Sequence, residues 1–259
     1  MQDQSYLFRK IIFLIIAVIL NSGCVKRGII PLYPSTQEVL FSISNAISED
    51  DTLRGSAQIN VVTSQGYFPL RAAVIIKKPA YLRLELLPPM GPPDFFLAAT
   101  PQKMKILLPE KGEMYQGEPN SRNMSRFLPW HFNLEDIVAV FTCTCPSLTG
   151  DITYLRYPEG SDLRIEMKVK SRIMQRVWIG SAGRLSKIER YDEMGKLLFN
   201  AEFANYTEGS PIAGKIYIVM ADGITSITVK YDDLKIEKEK DLSIFDLPVP
   251  DGFKKIYLD

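Results

Sequence analysis

The sequence predicts a mainly β protein with some α-helix, in which about eleven antiparallel strands form a half-open barrel. Apolar and polar residues alternate with period two in many segments, as in residues 81–87. Short glycine-containing turns separate these segments, as at residues 64–66 and 221–223. Two other stretches place apolar residues at helical spacing. So many strands cannot stay flat and open, so we expect them to curl beneath an N-terminal helix and a helical insert.

The N-terminal region has the features of a secretion signal. Arg9 and Lys10 form a basic start, and residues 11–20 are an unbroken apolar run. That run is shorter than the ~20 residues that a membrane-spanning helix needs. Gly23 then precedes Cys24, a pairing that resembles a bacterial lipoprotein signal, in which the cysteine is acylated. Ordinary signal cleavage and a retained short anchor are the alternatives.

This resemblance divides the chain into three parts. We expect residues 1–23 to be the signal peptide, residues 24–34 to be a tether after the lipidated Cys24, and residues 35–259 to be a single domain. Val25 stands where lipoproteins retained at the inner membrane carry aspartate, which implies an outer-membrane location. A multiply acylated cysteine anchors a protein stably, because each buried CH₂ contributes ~0.8 kcal/mol.

The domain begins with a predicted helix followed by a meander of strands. Residues 35–38 read Ser-Thr-Gln-Glu, a capping box, and apolar residues recur at helical spacing to residue 48. Six strand segments follow between residues 54 and 116, joined mostly by short turns. A helix in front of a sheet with one apolar face is expected to pack on that face.

The connection after residue 87 is unusual for a surface loop. It reads Pro88, Pro89, Met90, Gly91, Pro92 and Pro93, so four prolines stiffen it and one glycine allows it to turn. A stiff loop with an apolar tip favours a probe for a membrane or a lipid. The alternative is a proline-rich turn whose Met90 folds back onto the sheet.

A helical insert interrupts the strands. Residues 120–127 form one short helical segment, and Asn133 can cap a second with Asp136 in the capping-box position. Cys143 and Cys145 end this insert, and their spacing makes two thiols a better interpretation than a disulfide, although a bend at Pro146 leaves the bridge open. Strand segments then resume between residues 152 and 236, and a proline-punctuated tail follows.

The composition excludes several function classes. The net charge of +1 gives no bulk electrostatic case for nucleic acid or for an anionic surface. His131 is the sole histidine, so a histidine-based metal site is not expected, and no nucleophile–base pair or nucleotide-binding motif is present. We therefore expect no catalytic residues, no metal and no cofactor, and a protein that is not an enzyme.

An ordered set of motifs carries a resemblance to a known family. These are the acylated Cys24, the N-terminal helix, Arg54-Gly55-Ser56-Ala57-Gln58-Ile59, Tyr81-Leu82-Arg83-Leu84-Glu85-Leu86-Leu87-Pro88-Pro89-Met90-Gly91, Leu128-Pro129 and Tyr231-Asp232-Asp233-Leu234. Together they resemble the bacterial lipoprotein carriers of the LolA/LolB superfamily, and most closely its outer-membrane receptor branch, LolB. Met90 stands where that branch has leucine.

The resemblance implies a function in lipoprotein transport. It implies an outer-membrane-anchored receptor, facing the periplasm, that takes acylated lipoproteins from a periplasmic carrier and helps to insert them into outer-membrane lipid. Residues 88–93 would be the membrane-insertion loop. The acyl chains would enter an apolar cavity, whose candidate residues are Leu82, Leu84, Leu86, Met104, Ile106, Ile137, Val138 and Phe141.

Two other hypotheses remain open. The candidate cavity residues are equally compatible with an ordinary filled core, because the sequence does not separate a filled barrel from a hollow one. The same fold would then serve as a structural or interaction lipoprotein of the cell envelope, without lipid transfer. An envelope hydrolase is the least supported hypothesis.

Overall fold

Fourteen strands and three short helices make up the computed structural model, which describes residues 35–129, 132–180 and 182–258. The predicted signal peptide, Cys24 and the tether lie outside these residues, as does His131. The helices are α1 (Thr36–Ser44), α2 (Ser121–Met124) and α3 (Leu134–Phe141). The strands are β1 (Asp51–Thr63), β2 (Gly66–Lys77), β3 (Tyr81–Leu86), β4 (Phe95–Ala99), β5 (Met104–Leu108), β6 (Glu113–Gly117), β7 (Ile152–Glu159), β8 (Asp162–Val169), β9 (Arg172–Ile179), β10 (Leu185–Tyr191), β11 (Leu197–Tyr206), β12 (Ala213–Met220), β13 (Ser226–Lys238) and β14 (Lys254–Tyr257).

All fourteen strands belong to one sheet. Their order is β14-β6-β5-β4-β3-β2-β1-β13-β12-β11-β10-β9-β8-β7. Neighbouring strands are antiparallel except β14 and β6, which are parallel. The long central pair β1–β13 joins the two halves of the chain, from Asp51 opposite Lys238 to Val62 opposite Ser226. The edge strands β7 and β14 do not pair with each other, so this sheet is not closed into a barrel.

The predicted fold class is confirmed in its main features, and the strand count is wrong. The protein is mainly β with few helices and one open, mostly antiparallel sheet. It has fourteen strands rather than about eleven. β14 lies in the proline-punctuated tail, where no strand was predicted, and its four residues pair with β6 along residues 113–116. Such a short strand depends on a distant partner, so its own sequence carries little signal.

Local side-chain caps start the helices where the sequence predicts. The Ser35 Oγ accepts a hydrogen bond from the Glu38 N–H at 3.2 Å, and the Asn133 Oδ1 accepts one from the Asp136 N–H at 2.8 Å. α1 ends at Ser44 rather than at residue 48. Just after Ser44, the Asn45 side chain donates a hydrogen bond to the Phe41 carbonyl. α2 is likewise shorter than the predicted segment. Among the residues that the structure describes, no helix is both long and apolar enough to cross a membrane.

One continuous core lies on the face of the sheet that the helices cover, which we call the inner face. α1 contributes Val39 and Ile43, and every residue of α3 except Glu135 is buried. The inward side chains of β3, β5 and the strands of both halves join the same cluster. A helix that is apolar on nearly all sides must be buried on nearly all sides.

A C-terminal strap, residues 242–253, crosses the opposite face of the sheet, which we call the outer face. The Arg83 Nη1 donates to the Ile244 carbonyl and the Lys105 Nζ to the Leu247 carbonyl, both at 2.9 Å. Leu247 packs in a second, smaller apolar cluster with residues of β4, β5 and β6. The strap carries the chain from the centre of the sheet to its edge, where β14 begins.

Candidate functional site

The eight predicted cavity residues lie together in the inner-face core. Leu82, Leu84 and Leu86 come from β3, Met104 and Ile106 from β5, and Ile137, Val138 and Phe141 from α3. Seven of them are buried, each at most 3% exposed, and Leu86 is partly buried. In this structure they form an apolar layer of the inner-face core, to which both α3 and the sheet contribute.

Period-two alternation and helix burial together explain this layer. Leu82, Leu84 and Leu86 share one side of β3, while Arg83 and Glu85 face the other side and bond each other at 2.7 Å. α3 packs on β2 and β3. An eight-residue helix is therefore the element that covers this part of the inner face.

Polar contacts tie α3 to the distant half of the sheet. The Tyr231 hydroxyl on β13 donates to the Phe141 carbonyl at 2.8 Å. The Arg190 Nη2 on β10 lies 3.8 Å from the Asp136 Oδ1. Arg190 also donates to the Gln175 Oε1 at 3.2 Å and to the Ser147 carbonyl at 3.4 Å. The helix that covers the apolar layer is thus held by a few specific bonds in addition to its packing.

Burial sets the ionisation of these groups. Burial raises the pKa of Asp136 above its usual value, and the nearby Arg190 charge opposes part of that shift. Burial also raises the pKa of Tyr231 well above its usual range, so its hydroxyl remains a donor at neutral pH. From the sequence, Asp136 was expected only in the capping-box position of α3, and nothing indicated that the half-buried Arg190 would lie near it.

The two cysteines of the insert are separate thiols. Cys143 is buried and its Sγ accepts a hydrogen bond from the Ala213 N–H at 3.2 Å, and Cys145 is half-buried. Burial raises the pKa of both thiols to about 12. Both are therefore protonated and poorly reactive near neutral pH.

The proline-rich loop between β3 and β4 exposes its methionine. Met90 is 88% exposed, so it does not fold back onto the sheet. Gly91 has φ +94°, a conformation that side chains disfavour, and it allows the loop to turn there. Pro88 and Pro89 line a surface cavity of about 680 Å³ together with Leu86. The loop therefore adjoins the edge of the apolar layer.

Within the residues described, no group of three or more His, Cys, Asp or Glu side chains is placed to hold a metal ion.

No family model and no curated protein matches the sequence. Solved structures do match the fold. A LolA superfamily protein from Nitrosomonas europaea aligns with a TM-score of 0.59 at 14% identity, over 83% of this chain and 99% of that one.

The chain therefore shares its fold with this LolA superfamily protein. A putative outer membrane lipoprotein-sorting protein domain from Vibrio parahaemolyticus shares this LolA-like fold, with a TM-score of 0.56 at 17% identity over 81% of this chain and 95% of that one. A DUF1329 family protein from Desulfovibrio piger does so with a TM-score of 0.60 at 12% identity, over 81% and 95%. At such identities the likeness establishes the fold alone, which is the fold that the resemblance of the sequence motifs implied. Membership of the superfamily and of its LolB branch remains a prediction.

Proposed function

We propose that this protein is a lipid-anchored receptor of the outer membrane that binds the acyl chains of lipoproteins on its inner face and passes them to the bilayer. The observation that carries the proposal is the apolar layer beneath α3, which adjoins an exposed apolar loop. The LolA-like fold supports a role in lipoprotein binding or sorting.

Binding requires α3 to move away from β3, because the layer is filled in this structure. Exposing the apolar surface between them costs free energy. An acyl chain inserted there offsets this cost, because each buried CH₂ contributes about 0.8 kcal/mol. The acyl chain is transferred because its apolar surface is buried to different extents in the carrier, the receptor and the bilayer. No covalent bond is made or broken, so no catalytic residue is needed. Its incoming partner would be a lipoprotein held by a periplasmic carrier.

The Met90 loop provides the exit to the membrane. Its prolines keep the tip extended at low entropic cost, and a methionine side chain adapts to a disordered lipid surface because it is flexible and polarisable. Acylated Cys24 would hold the domain at the outer membrane, so that loop and bilayer stay close.

The loop can be tested by substitution of Met90. The full chain carrying Met90→Glu is reconstituted in vesicles and receives a lipoprotein from a loaded periplasmic carrier. We expect lipoprotein binding to persist and insertion into the bilayer to fall severalfold, because a carboxylate at the tip resists entry into lipid. Insertion is measured by co-flotation of the lipoprotein with vesicles after the receptor is removed.

Ile236→Glu is the matched control. Ile236 is 44% exposed near the opposite end of the sheet, so the same apolar-to-acidic change there should leave insertion unchanged. Normal insertion by the Met90→Glu variant would remove the loop from the mechanism. Failure of the unaltered chain to take up any lipoprotein would overturn the receptor function itself.

The second candidate is a structural or interaction lipoprotein of the cell envelope. The filled inner-face layer favours it, since a permanently closed core needs no ligand. Mass spectrometry of lipids extracted without hydrolysis from the purified full chain distinguishes the receptor function from this structural role. Bound acyl lipid supports the receptor, and its absence from protein purified out of lipoprotein-producing cells supports the structural role.

A further inference from the structure

Several connections at one end of the sheet expose large apolar side chains. We call this end the rim and define it by the β1–β2 turn (residues 63–66), the β3–β4 loop (87–94), the β5–β6 connection (109–112), the β8–β9 turn (170–171), the β10–β11 turn (192–196) and the β12–β13 turn (221–225). The strand register places these connections side by side. Val62 on β1 pairs with both Tyr67 and Ser226, next to the β1–β2 and β12–β13 turns.

The neighbouring strands extend the rim in both directions. On one side, β3 runs antiparallel to β2, towards the end at which β2 begins. The proline loop leaves β3 alongside the middle of β2, where the Leu87 N–H donates to the Arg71 carbonyl at 2.8 Å. On the other side, Phe199 on β11 pairs with Met220, just before the β12–β13 turn. The β10–β11 turn, next to the start of β11, therefore lies at the same end.

Four of the rim connections carry an exposed apolar residue within or beside them. Met90 is 88% exposed, Met194 82%, Tyr67 61% and Ile224 57%. Turns normally expose polar residues, glycine or proline, and single exposed apolar residues are common on any surface. Those elsewhere, such as Phe41, Ile236 and Tyr257, lie on three different elements. The repetition along one end is what distinguishes the rim.

A cationic cavity adjoins Met194 on the rim. It measures about 590 Å³, and its lining includes Lys168, Arg172 and Arg176 but no carboxylate residue. The three cations are neutralised to different degrees. Arg176 pairs with Glu166 at 3.0 Å and with Glu189 at 3.4 Å, and Lys168 lies 3.9 Å from Glu166. Arg172 donates to the Glu193 backbone carbonyl, a contact that leaves its charge in place.

From this arrangement we infer that the rim is an extended contact surface for a bilayer with anionic headgroups. Met194 and Ile224 enter the lipid at the same end of the sheet as Met90, while Lys168 and Arg172 bind headgroup phosphates in the cavity next to Met194. Apolar tips on separate connections suit a broad, deformable partner better than a groove-binding peptide, and the cationic cavity complements anionic lipid. This inference rests on the proposed function, since it extends the surface on which the Met90 loop acts.

Single-site labelling tests the inference on the full chain. Met90→Cys, Met194→Cys and Ile236→Cys variants are labelled with an environment-sensitive fluorophore and reconstituted in phosphatidylethanolamine vesicles with or without phosphatidylglycerol. The buried Cys143 and half-buried Cys145 thiols react poorly, and the unsubstituted chain gives the labelling background. We expect blue-shifted emission and quenching by spin-labelled lipid at positions 90 and 194, and water-like emission at position 236.

The cationic cavity is tested by Lys168→Gln with Arg172→Gln in the Met194→Cys chain. In phosphatidylglycerol vesicles, loss of both charges should lower the ratio of inserted to free label at position 194 about tenfold or more. Water-like emission at 194 would overturn the inference, and lipid contact at 90 in the same experiment would leave the proposed function standing. An equal response at 194 with and without phosphatidylglycerol would overturn the headgroup assignment.

Discussion

Asp136 is the buried carboxyl group of α3, and its surroundings could only partly be predicted. Asn133 caps the helix at the predicted residue, because a cap is a local interaction within four positions of the chain. The neighbouring Arg190 could not be placed in advance. A register irregularity between Leu185 and Lys187 shifts the inward side of β10, so simple alternation along that strand is misleading.

The pH dependence of stability tests the burial of Asp136. Its pKa is higher in the folded protein than the usual 3.8, so the folded state binds this proton more tightly than the unfolded state. The resulting stabilisation is complete below the unfolded pKa and is lost as pH rises through the folded pKa. We expect the stability of the natural chain relative to Asp136→Asn to fall over that range.

Urea unfolding of both chains at a series of pH values measures this difference. Asparagine is the matched replacement because it keeps the shape of the side chain and does not titrate. A stability difference that rises with pH would contradict the expected direction, because it would mean that Arg190 stabilises ionised Asp136 more than burial disfavours it.

At the scale of elements, Gly55 shows why one motif residue is needed. It lies on β1 beside an irregularity in the pairing with β13, where Ser56 pairs with Asp233 and Ala57 with Tyr231. A Cβ atom on Gly55 would lie 1.7 Å from the Asp233 carbonyl oxygen. The Arg-Gly motif of β1 therefore reflects close backbone approach at the central strand pair.

Substitution of this glycine should weaken the whole sheet. We expect Gly55→Ala to lower the free energy of unfolding by about 2 kcal/mol or more, because the two backbones must separate. The adjacent Ser56→Ala should stay within about 0.5 kcal/mol of the natural chain. Denaturant unfolding monitored by circular dichroism gives both values, and equal stability of the two variants would disprove the close approach.

The sequence predicted the types of the helices and strands more accurately than it predicted where each of them begins and ends. Strong alternation predicted β3, and helical spacing with a cap predicted α1 and α3. β14 and the strap depend on contacts with β6 and with β3 to β5, which are distant in sequence. No local pattern encodes such pairing, so no strand was predicted in the tail.

At the scale of the molecule, the sequence predicted a mainly β fold, as a half-open barrel, but not its order of strands. The pairing of β1 with β13 places the first strand in the middle of the sheet. That arrangement gathers the predicted cavity residues beneath α3 and lines up the turns of the rim. A permanent core and the closed state of a binding site differ in one respect, which is whether α3 moves away from β3 to admit an acyl chain.

The most direct test of acyl-chain binding is photo-crosslinking of the full chain. A diacylated lipopeptide with a diazirine near one acyl terminus is bound and illuminated, and the modified peptides are identified by mass spectrometry. We expect adducts within both Tyr81–Leu86 and Leu134–Phe141, suppressed by excess unlabelled lipopeptide. Adducts confined to the β3–β4 loop and other surface segments, or none at all, would contradict acyl-chain binding beneath α3.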